Sequence, residues 1–384
     1  AACLLLLYEL LGEEQGVDSK QLKGTTQNDI LKEYIARGNF IYPPEPAMRL
    51  TTDLFAYCHE KIPSWNTISI SGYHMREKGC SAVQEVGFTL ANATAYVQAA
   101  IDAGLEVDEF GPRLAFFFNC HNNVFQEVAK FRAARRMWAR IMVERFGSKD
   151  PKAQTMRFHT QTGGVTLAAK QVENNIVRVA LQGFAAVCGG TQSLHTNGYD
   201  EALALPTERA ARTALRTQQI LAHESGATDT VDPFAGSYFV EALTDQIETG
   251  AQGLIDKVEE LGGSVQSIAF IRAEVEESAW GYEERYRQKQ DIVVGVNEYT
   301  TEEKEEVETL RVDPESEREQ VERLAAFKAD RDGDAVERRL AELRAACDGE
   351  TNLLEPIRAA LKDHCSLGEV CGVMREEYGE YSEA

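Results

Sequence analysis

The sequence predicts an α/β protein: a partial (β/α)8 TIM barrel of about five parallel strands, followed by a mostly helical C-terminal extension. Three observations predict it. Short β-rich runs alternate with amphipathic helical stretches over residues 1–240, in units of roughly 35–45 residues. Those runs end in polar residues, with His74, His121, Gln161 and His195 following apolar stretches, and in a barrel such strand ends share one mouth. Beyond residue 240 the β-rich runs stop and charged helical patterns take over. An open doubly wound sheet is the alternative, but no GxGxxG follows a first strand.

The elements follow in order. The opening AACLLLLYELLGEEQG reads as a helix; it has no basic flank and soon meets Glu13 and Glu14, which argues against a signal peptide. NDILKEYIA (28–36) reads as a helix capped by Asn28 or Asp29 and ending before Pro43-Pro44. NTISISGYH (66–74), RLAFFFNCH (113–121), TMRFHTQTGG (155–164) and TQSLHTN (191–197) read as strands. FRAARRMWARIMVERF (131–146) puts Trp138, Ile141, Met142 and Arg145 on one helical face. AVERRLAELRAA (335–346) gives a stripe of Val336, Leu340 and Leu343, and the acidic stretch 298–320 reads as a solvated linker. No fixed-period repeat is present. A closed barrel has eight strands and typically ~250 residues. Five strands and the missing initiator Met therefore give the expectation of a chain truncated at its N-terminus.

Acidic residues outnumber basic ones 62 to 40, for a net charge of −22. Such a surface repels phosphate backbones, so nucleic-acid binding is not expected. No apolar run reaches the roughly 20 residues of a membrane span. Eight scattered Cys without CxxC spacing suit a reduced cytoplasmic protein in which each is a small buried apolar residue.

Read without family knowledge, the chemistry stops short of a reaction. His74 after a strand and a Gly could donate a hydrogen bond to a carbonyl, or could be structural. Arg37 beside Gly38 could clamp a carboxylate or answer a helix dipole. Arg113 could meet a phosphate or form a salt bridge at the strand's start. His121, His159 and His195 lack HxH or HExxH spacing, so no metal site is expected. No GxSxG elbow and no P-loop is present.

The segments GTTQNDILKEYIARGNFIYPPEPAMRL (24–50), TISISGYHMREKG (67–79), DEFGPRLAFFF (108–118) and EVAKFRAARRMWA (127–139) carry a resemblance. So do HTQTGG (159–164), GGTQSLHTNGYDEALALPT (189–207), ESGATDTVDPFAGSYFVE (224–241) and VGVNEY (294–299). Together they resemble the large, or alpha, subunit of the coenzyme B12-dependent methylmalonyl-CoA mutase family over nearly the whole chain. The resemblance implies a barrel, of about strands 4–8 here, that encloses an acyl-CoA over residues 1–240. A helical linker or extension then covers residues 241–384. It also implies adenosylcobalamin, whose cobalt–carbon homolysis starts a radical migration of the thioester group between adjacent carbons.

By motif, the resemblance gives His74 the thioester carbonyl, with partial protonation of the migrating group, and Arg37 the free carboxylate of the acyl group. Gln27 becomes a polar substrate contact. Thr25, Tyr73 and Arg113 match acyl or CoA contacts, and Glu77, Gln161 and Glu201 match corrin-facing positions. Ala115 stands where the family often has Ser, Val165 replaces a frequent Trp, and FNCHNNVF (118–125) is closer to separate-subunit mutases. The Asp-x-His-x-x-Gly cobalamin motif is missing, and His364 has the wrong spacing. The cobalamin-binding domain is therefore expected on a separate small subunit that supplies the lower axial ligand. The expected assembly is a hetero-oligomer, with a G-protein chaperone as a further partner.

The leading expectation is interconversion of (R)-methylmalonyl-CoA and succinyl-CoA. Ethylmalonyl-, isobutyryl- and 2-hydroxyisobutyryl-CoA mutases are the alternatives; Arg37 disfavours the last two, whose substrates offer it no carboxylate. A non-catalytic partner-binding remnant and a metal-dependent barrel hydrolase are further alternatives. Five strands leave two open edges, so the fragment alone is expected to be poorly soluble and inactive.

Overall fold

The computed structural model describes residues 1–302, 308–311 and 313–382. Its first part runs α1 (Ala2–Glu14), β1 (Gly24–Thr25), a π-helical turn (Glu33–Arg37), α2 (Pro44–Lys61), β2 (Trp65–Asn66) and β3 (Ile68–Ser71). Then come α3 (Tyr73–Lys78), α4 (Ala82–Asp102), α5 (Val107–Phe110), β4 (Leu114–Cys120), α6 (Val124–Arg140), α7 (Pro151–Gln154), β5 (Phe158–Thr162), α8 (Asn174–Cys188) and β6 (Ser193–His195). Helices α9 (Glu208–His223), α10 (Tyr238–Glu260), α11 (Ile268–Arg287), α12 (Pro314–Ala329), α13 (Gly333–Cys347), α14 (Leu354–Lys362) and α15 (Leu367–Tyr378) complete it.

All strand pairs are parallel and follow chain order. β1 pairs with β2, and β3-β4-β5-β6 form a four-stranded sheet. Only Thr67 separates β2 from β3, and the ladder bridges that gap: Thr26 N donates to Asn66 O and Ser69 N to Gln27 O. Parallel neighbours require a crossover, and helices α4, α6 and α8 supply it.

One face of each strand packs on those helices and is apolar apart from the buried Thr160 and Thr162 of β5. Phe118, Phe131 and Phe158 meet there with ring centroids 5.0–6.1 Å apart. Trp138 sits edge-on to Phe116 at 4.9 Å, and its Nε1 is satisfied by Ala153 O. Helix α4 starts at a capping box of Ser81 and Gln84, which satisfies two otherwise orphaned backbone donors. It lies so close to α10 that a Cβ on Gly87 would stand 3.0 Å from Ala251 O. The compositional boundary at 240 falls inside α10, which packs on α4 and α6, and one core cluster runs from Cys3 to Met374.

The structure corrects several local readings. The strand expected over 66–74 ends at Ser71, and Tyr73 and His74 stand in the first turn of α3. The helix expected over 28–36 is shorter, with Asp29 Oδ1 accepting from Lys32 N and Asn28 at φ 36°. The apolar face read over 131–146 breaks at a second π-helical turn (Ile141–Arg145), where the wider turn displaces Arg145 outward to pair with Glu259. Part of the acidic stretch 298–320 is helical, in α12, while residues 303–307 and 312 lie outside the described residues. Among the described residues no helix is long and apolar enough to cross a membrane.

Candidate active site

The other face of the sheet is polar or small apart from Phe117. The parallel register sets its residues in rows: Ser69 beside Ala115; Ser71, Phe117, His159 and Ser193; then Asn119, Gln161 and His195. Period-two alternation separates these from Phe116, Phe118 and Phe158 on the helical side. Aromatic stacking organises the middle row. Tyr73 lies flat on Phe117 at 4.7 Å, His74 stands edge-on to Phe117 at 5.8 Å, and His159 is 5.2 Å away on Phe117's other flank.

The π-helical turn brings Gln27, Lys32, Arg37 and His74 together. Buried Asp29 anchors the turn to the sheet, accepting from Tyr96 Oη at 2.6 Å and Ser71 N at 2.7 Å. Lys32, 1% exposed, donates to Gln27 Oε1 at 2.6 Å and pairs with Glu33 at 2.7 Å. Arg37 Nη1 lies 3.5 Å from the same Gln27 oxygen and 3.7 Å from Glu33 Oε1, and its side chain is 47% exposed. Burial first, then the positive charges of Lys32 and Arg37, push the His74 imidazole down to about 3. At neutral pH His74 is therefore an uncharged hydrogen-bond donor, and its Nδ1 is buried without a partner.

A carboxylate–carboxamide group lies along the C-terminal strand ends. Glu77 accepts from Asn119 Nδ2 at 2.6 Å and Val165 N at 2.8 Å. Gln161 Nε2 donates to Asn197 Oδ1 at 2.9 Å. Burial raises the Glu77 and Glu201 carboxyls above their ordinary range, and Glu201 adds to the rise at Glu77. Beneath Asn119 lies a buried quartet of Arg76, Glu85, Glu127 and Lys130. It grips the strand end directly: Glu85 accepts from Asn119 N at 2.7 Å, and Lys130 donates to Asn119 O at 2.6 Å.

Arg113 and Thr25 sit elsewhere. Arg113 precedes β4, so the seven residues of that strand, at roughly 3.3 Å each, put it about 20 Å from the other strand end. Arg157 is its neighbour, donating to Pro112 O at 2.7 Å and Asn66 Oδ1 at 3.1 Å. Burial and the charge of Arg113 pull the Arg157 guanidinium down, and among the described residues neither arginine has an ion-pair partner. Thr25 Oγ1 accepts from Asn66 Nδ2 at 2.9 Å. Thr25, Gln27 and Arg37 line a cleft of about 730 Å³ along the β1 edge, which His74 and Tyr73 do not border.

Against known protein families, residues 1–380 match the model for methylmalonyl-CoA mutase. The chain belongs to the methylmalonyl-CoA mutase family. It is 44% identical over 383 residues to methylmalonyl-CoA mutase of Rhizobium meliloti (strain 1021), covering 99% of the chain and 54% of that protein. For the Escherichia coli (strain K12) methylmalonyl-CoA mutase the identity is 43% over 381 residues, covering 98% and 53%. For the mitochondrial methylmalonyl-CoA mutase of Homo sapiens it is 42% over 382 residues, covering 98% and 51%. The chain spans about half the length of the curated relatives it matches.

In this mutase-family chain the sequence-derived residues fall into three groups. Gln27, Arg37 and His74 gather at the π-helical turn and α3; Tyr73, stacked on Phe117, neighbours Glu77 and Glu201, which with Gln161 gather at the strand ends; Thr25 and Arg113 stand toward the strand starts. Sequence reading missed Lys32, Asn119, Arg157 and Asn197. Lys32 resembles an ordinary helix residue and Asn119 an ordinary strand residue, and only their tertiary contacts distinguish them. Arg157 did carry a signal, since it opens its strand as Arg113 opens the one before.

Proposed function

We propose that the chain forms the acyl-CoA-binding part, residues 1–240 of a (β/α)8 barrel, of an adenosylcobalamin-dependent mutase interconverting (R)-methylmalonyl-CoA and succinyl-CoA. The observation that carries it is the separation of two cationic positions along one polar sheet face. Neutral His74, with Arg37 near it, stands beside Phe117; Arg113, four residues back along β4, is roughly 13 Å away with Arg157, and among the described residues neither arginine has an ion-pair partner. A ligand with a carboxylate at one tip and phosphates at the other suits that spacing.

In this reading the Arg37 guanidinium takes the acyl carboxylate as a planar fork. His74 donates a hydrogen bond to the thioester carbonyl and stays neutral; full proton transfer from an imidazolium is disfavoured by its burial and by Lys32 and Arg37. Tyr73 and Phe117 form a stacked wall that keeps water from the reacting carbons. Arg113, Arg157 and Thr25 hold the CoA end.

The rim fits a large ligand rich in amides. Asn119 Oδ1, His121 Nε2 and Asp200 Oδ1 are buried there without partners, beside Glu77, Gln161 and Glu201. When bound, adenosylcobalamin supplies the radical that begins the carbon-skeleton rearrangement. A separate small subunit carrying the cobalamin domain, a hetero-oligomeric assembly, a G-protein chaperone and a cytoplasmic location complete the proposal.

The test is a turnover assay of the full-length protein with its small subunit and adenosylcobalamin, offered methylmalonyl-, ethylmalonyl- and isobutyryl-CoA in turn. Succinyl-CoA formed from methylmalonyl-CoA, with weaker turnover of the others, is expected. Turnover only of isobutyryl-CoA, or of none, overturns the reading.

A further inference from the structure

Beyond its effect on His74, Lys32 has no role so far, yet it is the most deeply buried cation near the acyl end of the face. Its side chain is 1% exposed, and taking an ammonium out of water costs several kcal/mol unless partners answer it. Glu33 answers the charge at 2.7 Å, and Asp29 adds a second negative charge. Burial still outweighs both and lowers the Lys32 ammonium, and the Gln27 side chain takes one of its three hydrogens at 2.6 Å.

That contact has a directional consequence. An ammonium has donors and no acceptor, so the carboxamide atom facing it must be the oxygen. Arg37, also donor-only, lies 3.5 Å from the same oxygen. Turning the Gln27 amide over would set its NH2 against two cations. The NH2 must therefore point away from Lys32, toward the open cleft that Gln27 shares with Arg37.

We propose that Lys32 is a positioning residue: by holding Gln27 Oε1 it aims the Gln27 NH2 at an oxygen of the bound acyl group, beside the Arg37 fork. This role rests on the mutase reading above. It makes the acyl end rich in donors, with Arg37 and the Gln27 amide presenting hydrogens and neutral His74 offering one donor nitrogen. Such a set recognises a carboxylate and a thioester carbonyl together. The lowered titration of His74, caused chiefly by burial and then by Lys32 and Arg37, agrees with this arrangement.

A double-mutant cycle on the full-length protein with adenosylcobalamin tests it. Lys32→Met, Gln27→Ala and their combination are titrated with succinyl-CoA, and with coenzyme A lacking an acyl group as control. Each single change is expected to weaken succinyl-CoA binding about 10-fold, the value of a hydrogen bond to a charged acceptor. The double variant is expected to be no weaker than the poorer single, because one contact acts through the other. Coenzyme A binding should not move. Lys32→Arg, which restores a donor-only cation, should recover most of the loss.

Multiplying losses in the double variant, or unchanged succinyl-CoA binding in Lys32→Met, overturns the role. If Lys32→Met does not fold, Gln27→Glu serves instead. It keeps an acceptor for Lys32 but has no hydrogen to offer, and is expected to lose the same 10-fold or so; full retention overturns the role. Wild-type protein that binds succinyl-CoA no better than coenzyme A overturns the mutase reading and this role with it. Normal wild-type binding with independent losses overturns the role alone.

Discussion

At the scale of single residues, the site depends on which groups are charged. His74 titrates near 6.5 in an unfolded chain and at about 3 when folded. Between those values the unfolded chain holds a proton that the folded one lacks, so stability rises with pH across this window and is lost as pH falls through it. His74→Asn should therefore show a shallower acid destabilisation, by about one proton, in urea unfolding followed from pH 7 to pH 4. Equal slopes for both proteins would refute the neutral buried imidazole. Arg37→Lys keeps the charge but loses the planar fork. It is expected to weaken binding of a carboxylate-bearing acyl-CoA by roughly 10- to 100-fold while leaving butyryl-CoA binding nearly unchanged. Equal losses for both ligands, measured by equilibrium titration, would separate Arg37 from the carboxylate.

At the scale of elements, legibility followed local pattern. The β5 segment FHTQT alternates visibly, and its polar members His159 and Gln161 do share the open face. The Asp29 cap was readable because an N-cap acts within three residues. The two π-helical turns were not readable, because a 3.6-residue period assumes a regular helix and one extra residue per turn rotates all that follows, as Arg145 demonstrates. The buried quartet was equally hidden. Glu127 and Lys130 three apart on a helix look like a solvent-facing pair, and only the tertiary approach of Glu85 and Arg76 puts them in the core. Lys130→Met leaves Glu85 and Glu127 with too little positive charge in a dry setting. We expect a loss of about 3–5 kcal/mol in denaturant unfolding, far beyond the roughly 0–1 kcal/mol of an exposed pair such as Lys257–Glu260. A loss below 1 kcal/mol would mean the quartet contributes little.

At the scale of the whole molecule, the excess of negative charge dominates. A net charge of −22 lies on a surface whose arginines are largely engaged with carboxylates, as in Arg136–Asp245 at 2.6 Å and Arg339–Asp363 at 2.7 Å. The remaining acidic groups repel one another, and dissolved salt screens them beyond a Debye length of roughly 10 Å at 0.1 M. The melting temperature should accordingly rise with KCl; a flat or falling series would show that self-repulsion is not limiting. The quartet beneath β4 behaves differently. Its two cations and two anions cancel, and Lys130, Glu85 and Glu127 have no side-chain exposure. Ions in the medium have no access to it, so salinity can alter how tightly the acidic exterior holds together while the peptide at Asn119, and the carboxamide it aims at Glu77, keep their bearing.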